Sequence, residues 1–379
     1  MAEKKRMANL ELLRIIAMIM VVVMHFLRES GSLPGKDGAL AGLPLSEVNV
    51  LAVFLEAFCI VAVNVYVLIS GYFALHSSFR LTKVISFLEQ IYFYAILIPL
   101  VLRVLEVPVI MDSMGIYGLV QYVLPVSSEH YWFATSYFYL LLLMPVINYA
   151  VQKLTEKQLS VVLVLLLTVF CGVKSICPIQ LTMDKYGYDV LWFICLYLLG
   201  AWFSMQGEKV MTFMKKKALP LYLGSSLLIG GITIAFYIIS GKLSGAVYYF
   251  TVPFHYNFVL CLTGAVGLFF VFGNLSVKEG KGADFIRKVS KYCFGVYLLH
   301  EHLDVRHYWY TVLGEVFGTG GETNIAAFFA EMIICVVVIF VAGICIDFIR
   351  NLCFDGISSW YNTKFGEKVR QIDDRFRVS

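Results

Sequence analysis

Charge is what this chain has least of. Of its 379 residues only 15% are charged, while 60% are apolar and the mean hydropathy is +0.79. An average soluble domain is roughly 25% charged. So little polar surface cannot cover two or three soluble domains, which excludes a soluble enzyme, a disordered chain and a nucleic-acid module. The net charge of +4 is too slight to call for a polyanionic partner such as nucleic acid. The nine cysteines show no CxxC and no Cys/His ligand spacing, so they read as small buried hydrophobes, Cys171 and Cys177 near one loop included. No A-x-A cleavage site follows the first apolar run, and that run is too long for a signal peptide. It is read as an uncleaved span behind Lys4-Lys5-Arg6. Internal repeats, low-complexity tracts and room for a large soluble domain are also lacking.

What the chain does have is apolar length. About 20 residues of helix cross a hydrocarbon core of about 30 Å. Ten runs meet or approach that length: 10–28, 48–75, 84–105, 131–151, 158–174, 188–206, 219–240, 251–273, 289–312 and 325–349. They predict an all-α, polytopic membrane bundle of about ten transmembrane helices, a multi-pass protein of the cell membrane. Twenty-two of the 30 Lys and Arg residues fall on the side of the bundle that carries the N-terminus, and six on the other. The excess of basic residues on one side predicts cytoplasmic termini. Residues 350–379 mix charges with Trp360, Tyr361 and Phe376, as expected of a short cytoplasmic amphipathic tail.

Ionisable groups inside a bilayer cost several kcal/mol unless paired or hydrated, so each is a functional candidate. The first run carries two, Arg14 and His25. Eleven residues apart, they differ by about 20° on the helix wheel and by about 16 Å in height. One stripe therefore offers a cation at the inner mouth and an imidazole deep inside. The ninth run holds Leu299-His300-Glu301-His302-Leu303-Asp304-Val305-Arg306-His307. On a continuous helix His300, Asp304 and His307 would share a face, with His302 and Arg306 on another. An Asp one turn from a His orients the ring, and the same trio has the makings of a chelate, but no fourth ligand is evident and no metal is expected. Asn64, Glu89, Gln90 and His255 read as interhelical hydrogen bonds. Glu56 is less easily dismissed. Glu129-His130-Tyr131-Trp132 opens the fourth run at the outer surface, where Trp132 and Tyr131 fit an aromatic belt and Glu129 and His130 an outer substrate entrance.

These residues resemble a known group. Asn9-Leu10-Glu11-Leu12-Leu13-Arg14-Ile15-Ile16-Ala17, followed by His25, is similar to the opening helix of the acyltransferase 3 family, integral-membrane O-acyltransferases of bacterial envelopes. Ile69-Ser70-Gly71-Tyr72-Phe73 resembles the end of that family's second helix. Tyr131-Trp132-Phe133 with Tyr137 and Leu143-Met144-Pro145 resembles a later one. Leu198-Leu199-Gly200-Ala201 and Phe294-Gly295-Val296-Tyr297-Leu298-Leu299-His300 follow in the family's order. One departure stands out. The basic, Arg-rich loop of many members here reads Phe79-Arg80-Leu81-Thr82-Lys83, which leaves Arg80 and Lys83 as the acyl-CoA-binding candidates.

The resemblance implies a transmembrane acyltransferase domain over residues 1–349. It further implies acyl transfer from cytoplasmic acyl-CoA, usually acetyl-CoA, to a hydroxyl of an envelope polysaccharide or lipid-linked glycan. Acetyl-CoA is then a substrate, and no permanently bound cofactor is expected. His25 becomes general base or transient acyl carrier, and Arg14 binds a donor phosphate or polarises the thioester. His300, Asp304, Trp132 and Glu129 line the acceptor path. Some members carry a fused extracytoplasmic esterase-like domain; the resemblance leaves room for a separate extracytoplasmic partner enzyme here. Two other classes stay open. A secondary transporter would also bury His, Asp and Arg, although no inverted repeat is visible. A non-catalytic protein that hands glycan or acyl groups to another enzyme is the second.

Overall fold

The computed structural model describes residues 6–34, 43–73, 79–178, 184–318, 324–361 and 364–375. Every regular element among them is helical. In chain order they are α1 (Ala8–Glu29), α2 (Glu47–Cys59), α3 (Ala62–Tyr72), α4 (Leu81–Val104), α5 (Ile110–Met114), α6 (Ile116–Val123) and α7 (Trp132–Lys153). Next come α8 (Glu156–Leu167), a π-helical turn (Thr168–Val173), α9 (Lys174–Ile176), α10 (Val190–Gln206), α11 (Glu208–Met214) and α12 (Ala218–Ser240). The last are α13 (Val247–Thr251), α14 (Val259–Gly273), α15 (Lys281–Ser290), α16 (Cys293–His300), α17 (Trp309–Phe317), α18 (Ile325–Tyr361) and α19 (Lys364–Arg375). Phe376 lies outside the described residues.

Eight of these helical stretches are long and apolar enough to cross a membrane, nine if α10 and α11 count as one span bent by 101°. The chain is a multi-pass membrane protein. Ten apolar runs therefore resolve into eight or nine such helices, and the difference is instructive. The run 289–312 is not one helix: α16 stops at His300, residues 301–308 form a chain of turns, and α17 starts at Trp309. A stretch with six ionisable side chains in eight residues gains nothing from a lipid-facing helix. Its backbone is satisfied by tight turns, such as Val305 N–H to His302 O at 2.8 Å.

Polar residues at the membrane ends do what sequence chemistry asks of them. Ser46 and Asn49 make a reciprocal cap on α2, Thr155 and Gln158 do so on α8, and Asp189 accepts from Trp192 N–H at the start of α10. Lipid-facing walls are apolar on the outside, with Ile96, Leu100, Val161, Val164 and Leu165 exposed. α1 lies inside, with Leu10, Leu13, Ala17, Val22, Phe26 and Leu27 all buried. It packs against α2, α3, α14, α16 and α18.

Two of the quoted sequence signatures turn out to be one contact. A Cβ on Gly71 would sit 2.1 Å from the Tyr197 carbonyl oxygen, and one on Gly200 would sit 2.4 Å from that of Leu68. Glycine on both helices lets the α3 and α10 backbones touch. That crossing places Tyr66 and Ser70 against α1 and α7. Tyr66 donates to the Arg14 carbonyl at 2.6 Å, and Ser70 shares a 3.0 Å hydrogen bond with Tyr137.

Candidate active site

His25 stands where two cavities meet. One, of about 290 Å³, runs along the N-terminal half of α1 and is lined by Arg6, Glu11, Arg14, Lys291 and a set of apolar and aromatic side chains. The other, of about 450 Å³, lies towards the opposite end of the bundle and is lined by Arg28, Glu56, Glu301, Arg306, Tyr188 and others. Met24, His25, Trp132 and Tyr256 line both. The helical spacing of Arg14 and His25 thus becomes a position near one mouth and a position at the junction.

The imidazole is held by a hydrogen-bond chain whose direction is forced. His300 Nδ1 lies 2.6 Å from the Val296 carbonyl oxygen, which only accepts, so Nδ1 carries the proton and Nε2 the lone pair. That Nε2 lies 2.7 Å from His25 Nδ1, which must therefore be the donor. The lone pair of His25 is left on Nε2, the nitrogen a base needs. Glu301 Oε1 lies 3.5 Å from His25 Nδ1, close enough to stabilise an imidazolium. The ligand atoms of His25, His300 and Glu301 lie within 4.8 Å of one another. The 2.7 Å between the two nitrogens is nevertheless a hydrogen-bond distance. Two ligands of one tetrahedral zinc stand about 3.3 Å apart.

At the first cavity's mouth, Glu11 is 1% exposed and accepts from Arg6, Arg14 and Ser290. Helical i,i+3 spacing puts Glu11 beside Arg14, and the ion pair fixes the guanidinium at the mouth. Lys83 lies in the field of Arg80, Arg6 and Arg14. Neither Arg80 nor Lys83 is among the residues that line this cavity, whereas Arg6 and Lys291, from elsewhere in the chain, are. The start of α4 is capped by Asp373 of α19, which accepts from Thr82 Oγ1 at 2.8 Å and from Leu81 N–H.

Asp304 does not touch His300. One carboxylate oxygen accepts from Ile110 N–H at 2.6 Å and the other from Tyr122 at 2.7 Å, tying α5 and α6 to the turns after α16. His302 points to the same cap and not to Arg306: its ring meets His130 with centroids 4.5 Å apart. Burial holds the His130 imidazole down to about 3. His307 reaches Glu29 at 3.2 Å. Glu129 is exposed and pairs with Lys185 at 2.8 Å, which raises the pKa of that ammonium. Glu129 is not among the residues lining either cavity, whereas Trp132 lines both.

Trp132 also belongs to an aromatic cluster that the sequence did not reveal. Its ring lies 4.4 Å from Tyr188 and 5.5 Å, stacked, from Tyr256. Buried polar contacts fix the segments that carry them: Asn64 donates to Tyr256 O at 2.7 Å, and Ser136 to Tyr188 O at 3.3 Å. Nearby, Lys174 and Asp184 form an ion pair at 3.0 Å with both side chains sealed from solvent. Glu11 and Glu301 had a sequence signal in their adjacency to Arg14 and His300. Arg6, Lys291, Tyr188 and Tyr256 had none, because only the fold brings them to the cavities.

A family model described as an acyltransferase domain, of the acyltransferase 3 type, matches residues 7–346. No curated protein and no solved structure matches the chain.

Proposed function

The chain belongs to this acyltransferase family, and from that premise we propose that it transfers an acyl group, with acetyl-CoA as donor, to a hydroxyl of an envelope polysaccharide or lipid-linked glycan. The observation that carries this reading is the place of His25 at the junction of a cation-rimmed cavity and an aromatic one. With the N-terminal side in the cytoplasm, as the distribution of basic residues favours, acyl-CoA enters the first cavity. Arg6, Arg14, Arg80, Lys83 and Lys291 hold its phosphates, and Glu11 keeps Arg14 in place. The apolar passage between Arg14 and His25 takes the pantetheine arm. From the other side a sugar ring rests on Trp132, Tyr188 and Tyr256.

His25 Nε2 then accepts the proton of the acceptor hydroxyl while the hydroxyl oxygen attacks the thioester carbonyl. The C–S bond breaks, and the departing thiolate takes that proton from the imidazolium. The products are an ester on the glycan and CoA as the free thiol. His300 fixes the tautomer, and Glu301 stabilises the positive ring during the transfer.

The test uses the full chain in membranes with acetyl-CoA and envelope glycan, reading CoA thiol release and ester formation together. His25→Ala is expected to lower both by at least about 100-fold. Arg14→Ala is expected to act mainly by raising the KM for acetyl-CoA. Normal ester formation by His25→Ala would overturn the reading.

A further inference from the structure

The second cavity contains a cation that main-chain carbonyls hold and that forms no ion pair among the described residues. Arg306 lies in the turns after α16 and lines that cavity. Its Nη2 donates to two main-chain carbonyls, His130 O at 2.7 Å and Glu301 O at 2.9 Å. Its Nε is buried without a hydrogen-bond partner. Among the described residues no carboxylate lies within ion-pair distance of it. A guanidinium stays charged at any physiological pH and is costly to hold inside a membrane protein without a counter-ion. The lining also includes two carboxylates, Glu56 and Glu301. Glu301 directs Oε1 towards His25, and Glu56 is 4% exposed on α2. Arg28 shares the lining, with its side chain 53% exposed and Glu29 at 3.6 Å.

We propose that Arg306, assisted by Arg28, is an anion subsite for the acyl acceptor, so that the glycan acylated here is an acidic one. The ligand group is a carboxylate or a phosphate, either of which accepts from the guanidinium donors that the two carbonyls leave over. The aromatic rings beside it take the apolar face of the sugar, and the anion fixes which hydroxyl faces His25. The cavity volume of about 450 Å³ lies within the range of small-molecule sites. This assignment rests on the acyl-transfer reading above and adds the charge of the acceptor to it.

The experiment compares three acceptors of matched size with the full chain and acetyl-CoA: a neutral oligosaccharide, its uronic-acid counterpart and a phosphate-bearing counterpart. Expected is a preference of about tenfold or more in kcat/KM for one of the two anionic acceptors, carried by acceptor KM. Which one wins identifies the anion. Arg306→Gln is expected to shrink the ratio of anionic to neutral turnover towards one. Because Arg306 also braces two main-chain carbonyls, the exposed Arg28→Gln provides a second variant, expected to shrink the same ratio by a smaller factor. Thermal melting of both variants in detergent accompanies the assay. Equal turnover of all three acceptors by the unmodified protein would overturn the proposal. So would an equal loss on neutral and anionic acceptors in Arg306→Gln. Absence of CoA release with every acceptor is a different result, and it counts against acyl transfer itself.

Discussion

At the scale of single residues, two histidines 275 positions apart explain each other. The neutral His25 ring has a defined tautomer only because His300 Nδ1 is spent on the Val296 carbonyl 2.6 Å away. His300→Phe, which removes the acceptor of the His25 proton, is expected to lower kcat about 10–100-fold with the acetyl-CoA KM nearly unchanged. His300→Gln, whose amide oxygen still accepts, should recover part of the loss. A change in donor KM alone would mean that His300 merely shapes the cavity. The sequence made both histidines candidates, since imidazoles inside apolar runs are rare. Their partnership was not legible. Helical spacing grouped His300 with Asp304 and His307, but the backbone leaves the helix after His300. Those two side chains then serve the cap over α5 and α6 and the contact with Glu29.

Among elements, α3 and α10 show how a short motif encodes a crossing. Gly71 and Gly200 face each other's backbones so closely that a single added carbon meets a carbonyl oxygen. Backbone cannot yield as a side chain can, so overpacking here exceeds the usual cost of about 1–3 kcal/mol. Gly200→Leu is expected to abolish a monodisperse, folded protein in detergent. Gly224→Ala, in open space on α12, should leave the melting temperature unchanged or slightly raised. A stable Gly200→Leu would show that the crossing is looser than drawn. Apolar run length located most spans, because twenty apolar residues have few other uses. It failed at α16 and α17, where apolar residues flank a polar segment that leaves the helix. It also did not anticipate α11, turned by 101° at Gly207 with φ +54.

At the scale of the whole molecule, the positive rim of the first cavity was legible only as a count. The bias of basic residues to one side marked where a polyanionic donor would approach, yet Arg6 and Arg14 come from one segment and Lys291 from another, and they line one cavity only in the folded bundle. The junction at His25 has a further consequence for energetics. On the proposed reading each side of the membrane keeps its own partner with its charge unchanged: a thioester becomes a thiol on one side, and a hydroxyl becomes an ester on the other. An acyl group moves one way and a hydrogen the other, so no net charge crosses. The transmembrane voltage, worth about 2.3 kcal/mol per elementary charge per 100 mV, then has nothing to act on at equilibrium. In proteoliposomes, ester formation should reach the same end-point whether ionophores have collapsed the ion gradients or not. A secondary transporter driven by such gradients would stop. A protein built this way draws its driving force from the thioester bond alone, and it modifies molecules beyond the membrane without exporting a carrier or spending an ion gradient.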